Sequence, residues 1–241
     1  MSALDRFHAS WPRGVAPSVV EHYAGAADHV APAMTLWSGA ERVAALLASH
    51  GLQPGERVGC ALPPGVRWAQ TLVACLMRGL VFCPQRPGQP SASAPRALID
   101  ETGAFSKRPC ERAPDDGGVL VRFDETLAWS ADQLDALIAD VPTPRPGARI
   151  ASDASWVEPT GLVGAVWFSL SYGGELHVGL TDEELHRLGP EVVCARAGRL
   201  PELLESLPTA VSGLAVIGPA PSSVDVDAAK RRGWALASLP F

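Results

Sequence analysis

Ser169-Leu170-Ser171-Tyr172-Gly173, with Asp182 and His186 downstream, has the outline of a nucleophile elbow. A serine nucleophile needs an imidazole to take its proton and a carboxylate to orient that imidazole. The elbow also needs a strand before the serine. Here the preceding residues, 160–170, are apolar on nearly every side and predict a buried helix, so Ser171 reads as a helix end. His177 and His186 are nine residues apart on a predicted strand and helix, without carboxylate or cysteine spacing suited to a metal. Lys230-Arg231-Arg232 falls in the last turn of a predicted helix, where cations favour the negative dipole end. Gly117-Gly118 could present bare N–H groups to a phosphate, but the pair reads first as a tight turn before a strand. No residue is assigned as catalytic, cofactor-binding or metal-ligating.

The elements that would position these residues alternate between helix and strand. Ser38 and Glu41 form a predicted capping box, followed by the apolar stripe Val43, Leu46 and Leu47 and by Gly51 as the left-handed stop. A strand over 57–62, a helix over 66–78 ending at Gly79 and a strand over 80–83 make a β–α–β unit. Residues 84–95 are a Pro/Ser-rich loop. A short helix at 95–102, a poorly patterned stretch at 104–117 and a strand at 119–123 follow. Ser130 and Gln133 cap a helix, and Thr181 and Glu184 cap another. Strands are predicted at 148–152, 175–178, 191–195, 214–217 and 234–239, with helices near 200–206 and 224–232. The fold class is α/β: doubly wound, mainly parallel sheets with flanking helices. Three regions are expected: the start of a first α/β subdomain at 1–87, a loop-rich connection at 88–117 and a second subdomain at 118–241.

Net charge of -6 gives no general attraction to nucleic acid or to an anionic membrane. No stretch is apolar for long enough to span a bilayer. Five cysteines without a C-x-x-C pair fit a reducing cytoplasm.

Residues 37–87 carry a family pattern: a helix, then Pro54-Gly55-Glu56-Arg57-Val58, a strand ending at Leu62-Pro63, a second helix, then Gly79 and a strand closing at Pro84. This order resembles the opening of the adenylate-forming superfamily of acyl-CoA synthetases and peptide-synthetase adenylation domains. Further on, 151–161 aligns with a segment near the family's acyl pocket, without its histidine. Residues 212–221 resemble the family's strand and Gly-Gly-Ala-Pro turn, with Pro219 replacing one glycine. The resemblance implies a residual pocket at Trp156, Gly218 and Ala220. It also implies a Ser/Thr/Gly-rich loop closed by Pro-Lys around the ATP phosphates, yet 114–124 reads Pro-Asp-Asp-Gly-Gly-Val-Leu-Val-Arg-Phe-Asp. The family's Tyr-Gly-x-Thr-Glu motif, its later ribose-binding aspartate and its lid with a catalytic lysine find no counterpart in the sequence.

Adenylation needs N–H groups and a cation to hold phosphates while a carboxylate attacks. The expectation is a catalytically degenerate homologue that binds a protein partner, an acyl or aryl ligand, or a second copy of itself, with no cofactor. The alternative is an acid ligase whose missing parts come from another chain, and a hydrolase through Ser171 is the third reading. Self-association is expected because the apolar helix containing Leu162, Val163, Val166 and Trp167 calls for cover on several sides.

Overall fold

The computed structural model describes residues 17–22, 27–86, 88, 95–107, 118–145, 147–196, 198–208, 213–218 and 221–240. The chain divides into two units. One is Ala33–Leu134, and the other runs from Asp135 onward and takes in the segment ending at Pro32. The expected boundary at 118 therefore moves to 134, because β7 (Val121–Arg122) pairs in parallel with β4 (Val81–Pro84). The expected connection at 88–117 also holds two strands of the first unit.

The first unit opens with α1, Ala33–Ser49. The predicted cap at Ser38 is wrong, since the helix begins five residues earlier on Ala-Met-Thr-Leu-Trp, a run that continues a helix readily. Ser38 is interior, its hydroxyl donating to the Thr35 carbonyl at 3.4 Å, and Glu41 accepts from Trp37 Nε1 at 3.0 Å. Gly51 does stop the helix, at φ 72°. Next come β3 (Arg57–Cys60), α2 (Val66–Arg78) and β4, with β3 and β4 parallel as the sequence implies. Trp68 on α2 meets Phe82 on β4 edge to face, centroids 4.8 Å apart, and both are fully buried.

The predicted helix at 95–102 is instead a strand, β5 (Ala97–Ile99), paired with β3. Asp100 explains the difference: its Oδ1 accepts from the Thr102 and Ala104 N–H groups and from the Thr102 hydroxyl. That turn competes with helix for the same donors. It returns the chain into β6 (Phe105–Lys107). With β8 (Ala128–Trp129), the six strands lie in the order β6-β5-β3-β4-β7-β8, antiparallel at both edges. The Ser130–Gln133 box caps α3 (Ala131–Ile138), with reciprocal bonds of 3.2 and 2.8 Å.

The second unit holds a seven-stranded sheet, β13-β12-β11-β9-β10-β1-β2. Its strands are β1 (Ser18–Glu21), β2 (His29–Pro32), β9 (Ala148–Ser152), β10 (Gly174–Val178), β11 (Val192–Ala195), β12 (Leu214–Ile217) and β13 (Ala235–Ser238). All pairings are parallel except that of β1 with β2. Helices α6 (Asp182–Leu188), α7 (Leu200–Ser206) and α8 (Ser223–Arg231) follow β10, β11 and β12 in turn. Thr181–Glu184 is a full capping box on α6, as predicted. Leu185, Leu203, Leu204 and Ala228 pack with Val193, Ala215 and Ile217 into one core.

The apolar run after β9 forms α4 (Pro159–Gly161), a π-helical turn (Leu162–Trp167) and α5 (Phe168–Tyr172) without a break. Leu162, Val163, Val166 and Trp167 are at most 1% exposed. The run therefore needs no outside cover, and the premise for self-association through it falls.

Candidate functional site

Parallel strands leave their binding crevices at their carboxyl ends, where successive crossovers leave in opposite directions. Each sheet has such an end, and the two differ in what occupies it.

In the seven-stranded sheet, the carboxyl ends of β9 and β11 enclose about 80 Å³, lined by residues that include Ser152, Asp153, Asp182 and Arg199. That is far below the roughly 300 Å³ at which small-molecule sites begin. Arg199 Nε lies 3.6 Å from Asp153 Oδ2 and Arg196 Nε 3.8 Å from Glu158 Oε2, so the local cations already face carboxylates. Beside this space, packing seals the sheet end. The Cys194 thiol donates to the Thr160 carbonyl at 3.3 Å, and a Cβ on Gly164 would lie 2.9 Å from Cys194 Sγ. Burial pushes the Cys194 thiol up to about 12, which leaves it protonated and inert.

Of the predicted pocket residues, Trp156 is 1% exposed, a core side chain rather than a pocket wall. Gly218 ends β12 hard against α4, where a Cβ would sit 2.9 Å from Thr160 Oγ1. Ala220, Pro219, Gly117 and Cys110 lie outside the described residues. Trp156 and Gly218 therefore belong to packing at this end.

Ser171 sits within α5, preceded by helix, so the strand an elbow requires is not there. His186 is turned elsewhere, Nδ1 2.8 Å from the Ser206 carbonyl of α7. Lys230 and Arg231 close α8, and Arg232 donates to the Leu204 and Leu207 carbonyls at the end of α7. The basic run thus caps two helix ends, which accounts for it. Among the described residues no cluster of His, Cys, Asp and Glu has the make-up of a metal site, and no helix is long and apolar enough to cross a membrane.

In the six-stranded sheet, β3 connects to β4 on one side while β5 connects to β6 on the other. The crevice between the carboxyl ends of β3 and β5 measures about 280 Å³, lined by Ala61, Leu98, Gln85, Arg86, Asp100 and Thr102 among others. Gln85 is 8% exposed, and among the described residues its Nε2 has no hydrogen-bond partner. Its amide lies over the bare backbone of Gly59, a position any Cβ there would take. At the rim, Asp100 is held below the usual carboxylate range, chiefly by the Thr102 hydroxyl and the Ala104 N–H. Sequence reasoning missed Gln85, and its one legible sign was a glycine inside a short apolar strand.

The stretch expected to hold phosphates runs into β7, and residues 114–117 of it lie outside the described residues. Beyond β7 the chain turns tightly into β8. Asp124 Oδ1 accepts from the Thr126 N–H at 2.7 Å, the Leu127 N–H at 2.8 Å and the Thr126 hydroxyl at 2.8 Å. These bonds, the Thr126 hydroxyl first, hold the Asp124 carboxyl below its usual range. Glu125 bonds Arg57 Nη1 at 2.8 Å, and that guanidinium is 6% exposed. The turn is therefore an anion that occupies its own N–H donors.

Residues 34–104 match the family model described as AMP-binding enzyme. Three solved structures carry the likeness through the rest of the chain. VinN in complex with 3-methylaspartate is 18% identical with a TM-score of 0.73, over 98% of this chain and 77% of its own. The fold is similar to that of VinN. Apo MatB from Rhodopseudomonas palustris is 16% identical with a TM-score of 0.74, covering 99% of this chain and 59% of its own. The N-terminal domain of FACL13 from Mycobacterium tuberculosis is 12% identical with a TM-score of 0.72, over 99% of this chain and 75% of its own. At these identities the likeness is one of fold. No curated protein matches the chain in sequence. The likeness in fold covers both sheets, beyond the residues 34–104 that the family model matches.

Proposed function

We propose that this chain is a binding subunit built on the adenylate-forming frame, holding a protein partner or an acyl or aryl ligand without activating it. The observation that carries this reading is the chemistry around β7. Residues 108–123 contain no Ser, Thr or Lys, and the turn that follows directs a carboxylate onto its own N–H groups. Phosphates need free donors and positive charge, and in the 124–127 turn the Thr126 and Leu127 N–H groups are taken by Asp124 while Arg57 is paired with Glu125. A two-fold dimer is the simplest partnership, although the buried run at 162–167 is not its surface.

The second reading is an acid ligase completed by another chain. Its support is that VinN holds 3-methylaspartate, and MatB holds ATP, on the same frame. Calorimetry with ATP and magnesium, then pyrophosphate release with a panel of carboxylic acids, separates the two. The binding reading expects no micromolar ATP affinity and no acid-dependent pyrophosphate. Either signal would overturn it in favour of the ligase.

A further inference from the structure

His22, just beyond β1, and His177 on β10 face each other with Nε2 and Nδ1 2.9 Å apart, their rings stacked at 5.2 Å. Both side chains are nearly buried, at 6% and 7% exposure. The close approach is built into the backbone: His22 N–H donates to the Val178 carbonyl at 3.0 Å, and Gly179 follows at φ 79°. A Cβ at Gly179 would lie 2.8 Å from the His22 carbonyl oxygen, so only glycine admits the contact without strain.

The hydrogen-bond arithmetic of this pair is strict. One hydrogen between the facing nitrogens makes a bond, while two make none and place like charges in a nearly dry site. We propose that the His22–His177 pair is an acid-sensitive clasp that fixes the β1–β2 edge of the seven-stranded sheet, closed while the facing nitrogens share one hydrogen and released when both rings are protonated.

The surrounding charges do little to ease the second proton. From the hairpin, Asp28 Oδ1 lies 2.9 Å from His22 Nδ1, while Glu21 is engaged by His29 at 2.8 Å. On β10, Glu175 stands 3.6 Å from His177 Nε2 and half exposed, too far for a hydrogen bond. From β9 comes Arg149, a like charge, and it occupies Glu191, which leads into β11, at 3.0 Å. Glu184 of α6 is taken up by the Thr181 cap. Burial first, then His22 and Arg149, lower the His177 imidazole to about 4.

The sign follows from that depression. An unfolded histidine takes its proton near pH 6.5, whereas His177 in place resists it until about pH 4. The clasp contributes fully above pH 6.5 and loses its contribution as pH falls toward 4. Hydrogen exchange on the intact 241-residue protein tests this, comparing 17–22 and 27–32 with β12 between pH 7.5 and 5 after correction for intrinsic rates. The opening of the β1–β2 segment is expected to rise about tenfold relative to β12. In His177→Gln, which carries no titrating ring, that pH dependence should vanish. A parallel response of the two segments, or an unchanged response in the variant, overturns the proposal. Should the variant fail to fold, NMR titration of the wild-type His177 ring decides: a midpoint well below 6 supports the clasp, and one near 6.5 overturns it.

Discussion

The two sheet ends make opposite use of the same architecture. Between β9 and β11 of the seven-stranded sheet, side chains have closed the crevice to about 80 Å³ and matched its arginines to carboxylates, the larger space of about 520 Å³ lying at the β13 edge. At the six-stranded sheet, about 280 Å³ remains, and beside it the buried Gln85 amide lies over Gly59, its Nε2 without a hydrogen-bond partner among the described residues. A parallel sheet offers a crevice at its carboxyl ends whatever its sequence. Whether that crevice can hold anything is decided by a few positions such as Gly164, Gly218 and Gly59, where the presence or absence of a Cβ sets the available space.

The comparison is best broken where packing dominates. Trp167→Ala should cost about 4 kcal/mol, because it empties a 1%-exposed site and removes the 2.9 Å bond from Nε1 to Asp135. Denaturant unfolding measures it, and a loss under 1 kcal/mol would mean the second unit is loosely packed after all.

Charge pairing gives a smaller and pH-dependent effect. Burial pushes the Glu191 carboxyl up, but the Arg149 side chain, the Arg149 N–H and Arg145 more than offset that and hold it down to about 2. The folded carboxyl is depressed, so its stabilisation is complete above about pH 4.5 and is lost as pH falls through 2. Glu191→Gln should therefore be less stable than the parent by about 2 kcal/mol at pH 7, a gap that closes toward pH 2. Parallel melting curves at all pH values would contradict the assignment.

The six-stranded end should respond with the opposite sign. Gln85→Leu removes an amide whose Nε2 is buried without a partner, and it should raise stability by about 1 kcal/mol. That gain would show as a higher Tm, together with weaker binding of any small molecule that enters this crevice. A variant no more stable than the parent would show that the amide is already satisfied, and the contrast between the two ends would lose its main support.

Most of the helix and strand order could be read from the sequence, because capping boxes and apolar periodicity are local signals. Ser130, Thr181, Gly51 and Gly79 all mark ends where the structure has them. Position 100 shows the limit, since one aspartate collecting three donors converts a predicted helix into a strand and turn. The hairpin of β1 and β2 escaped notice because four-residue strands carry little periodicity, and the pairing of β1 with β10 joins residues more than 150 positions apart. The pocket predicted at Trp156 and Gly218 followed family position. Family position fixes where a residue sits along the chain, whereas the space around it depends on neighbours such as Thr160.

The π-helical turn at Leu162–Trp167 also bears on the chain's tolerance of length change. Such a turn holds one residue more than an α-helical turn would, so it is a one-residue insertion absorbed inside a helix. Deleting one residue there would let regular α-helix re-form with the second half still on its present face, because the wide turn and an α-helical turn each complete about one revolution. Phe168, Ser169 and Leu170, now buried, would keep their neighbours, and the Ser169 hydroxyl would stay by the Gly174 carbonyl it reaches at 3.3 Å. A regular buried helix changes length only by giving up the alignment of its second half, whereas this one can lose a single residue at the wide turn and keep it.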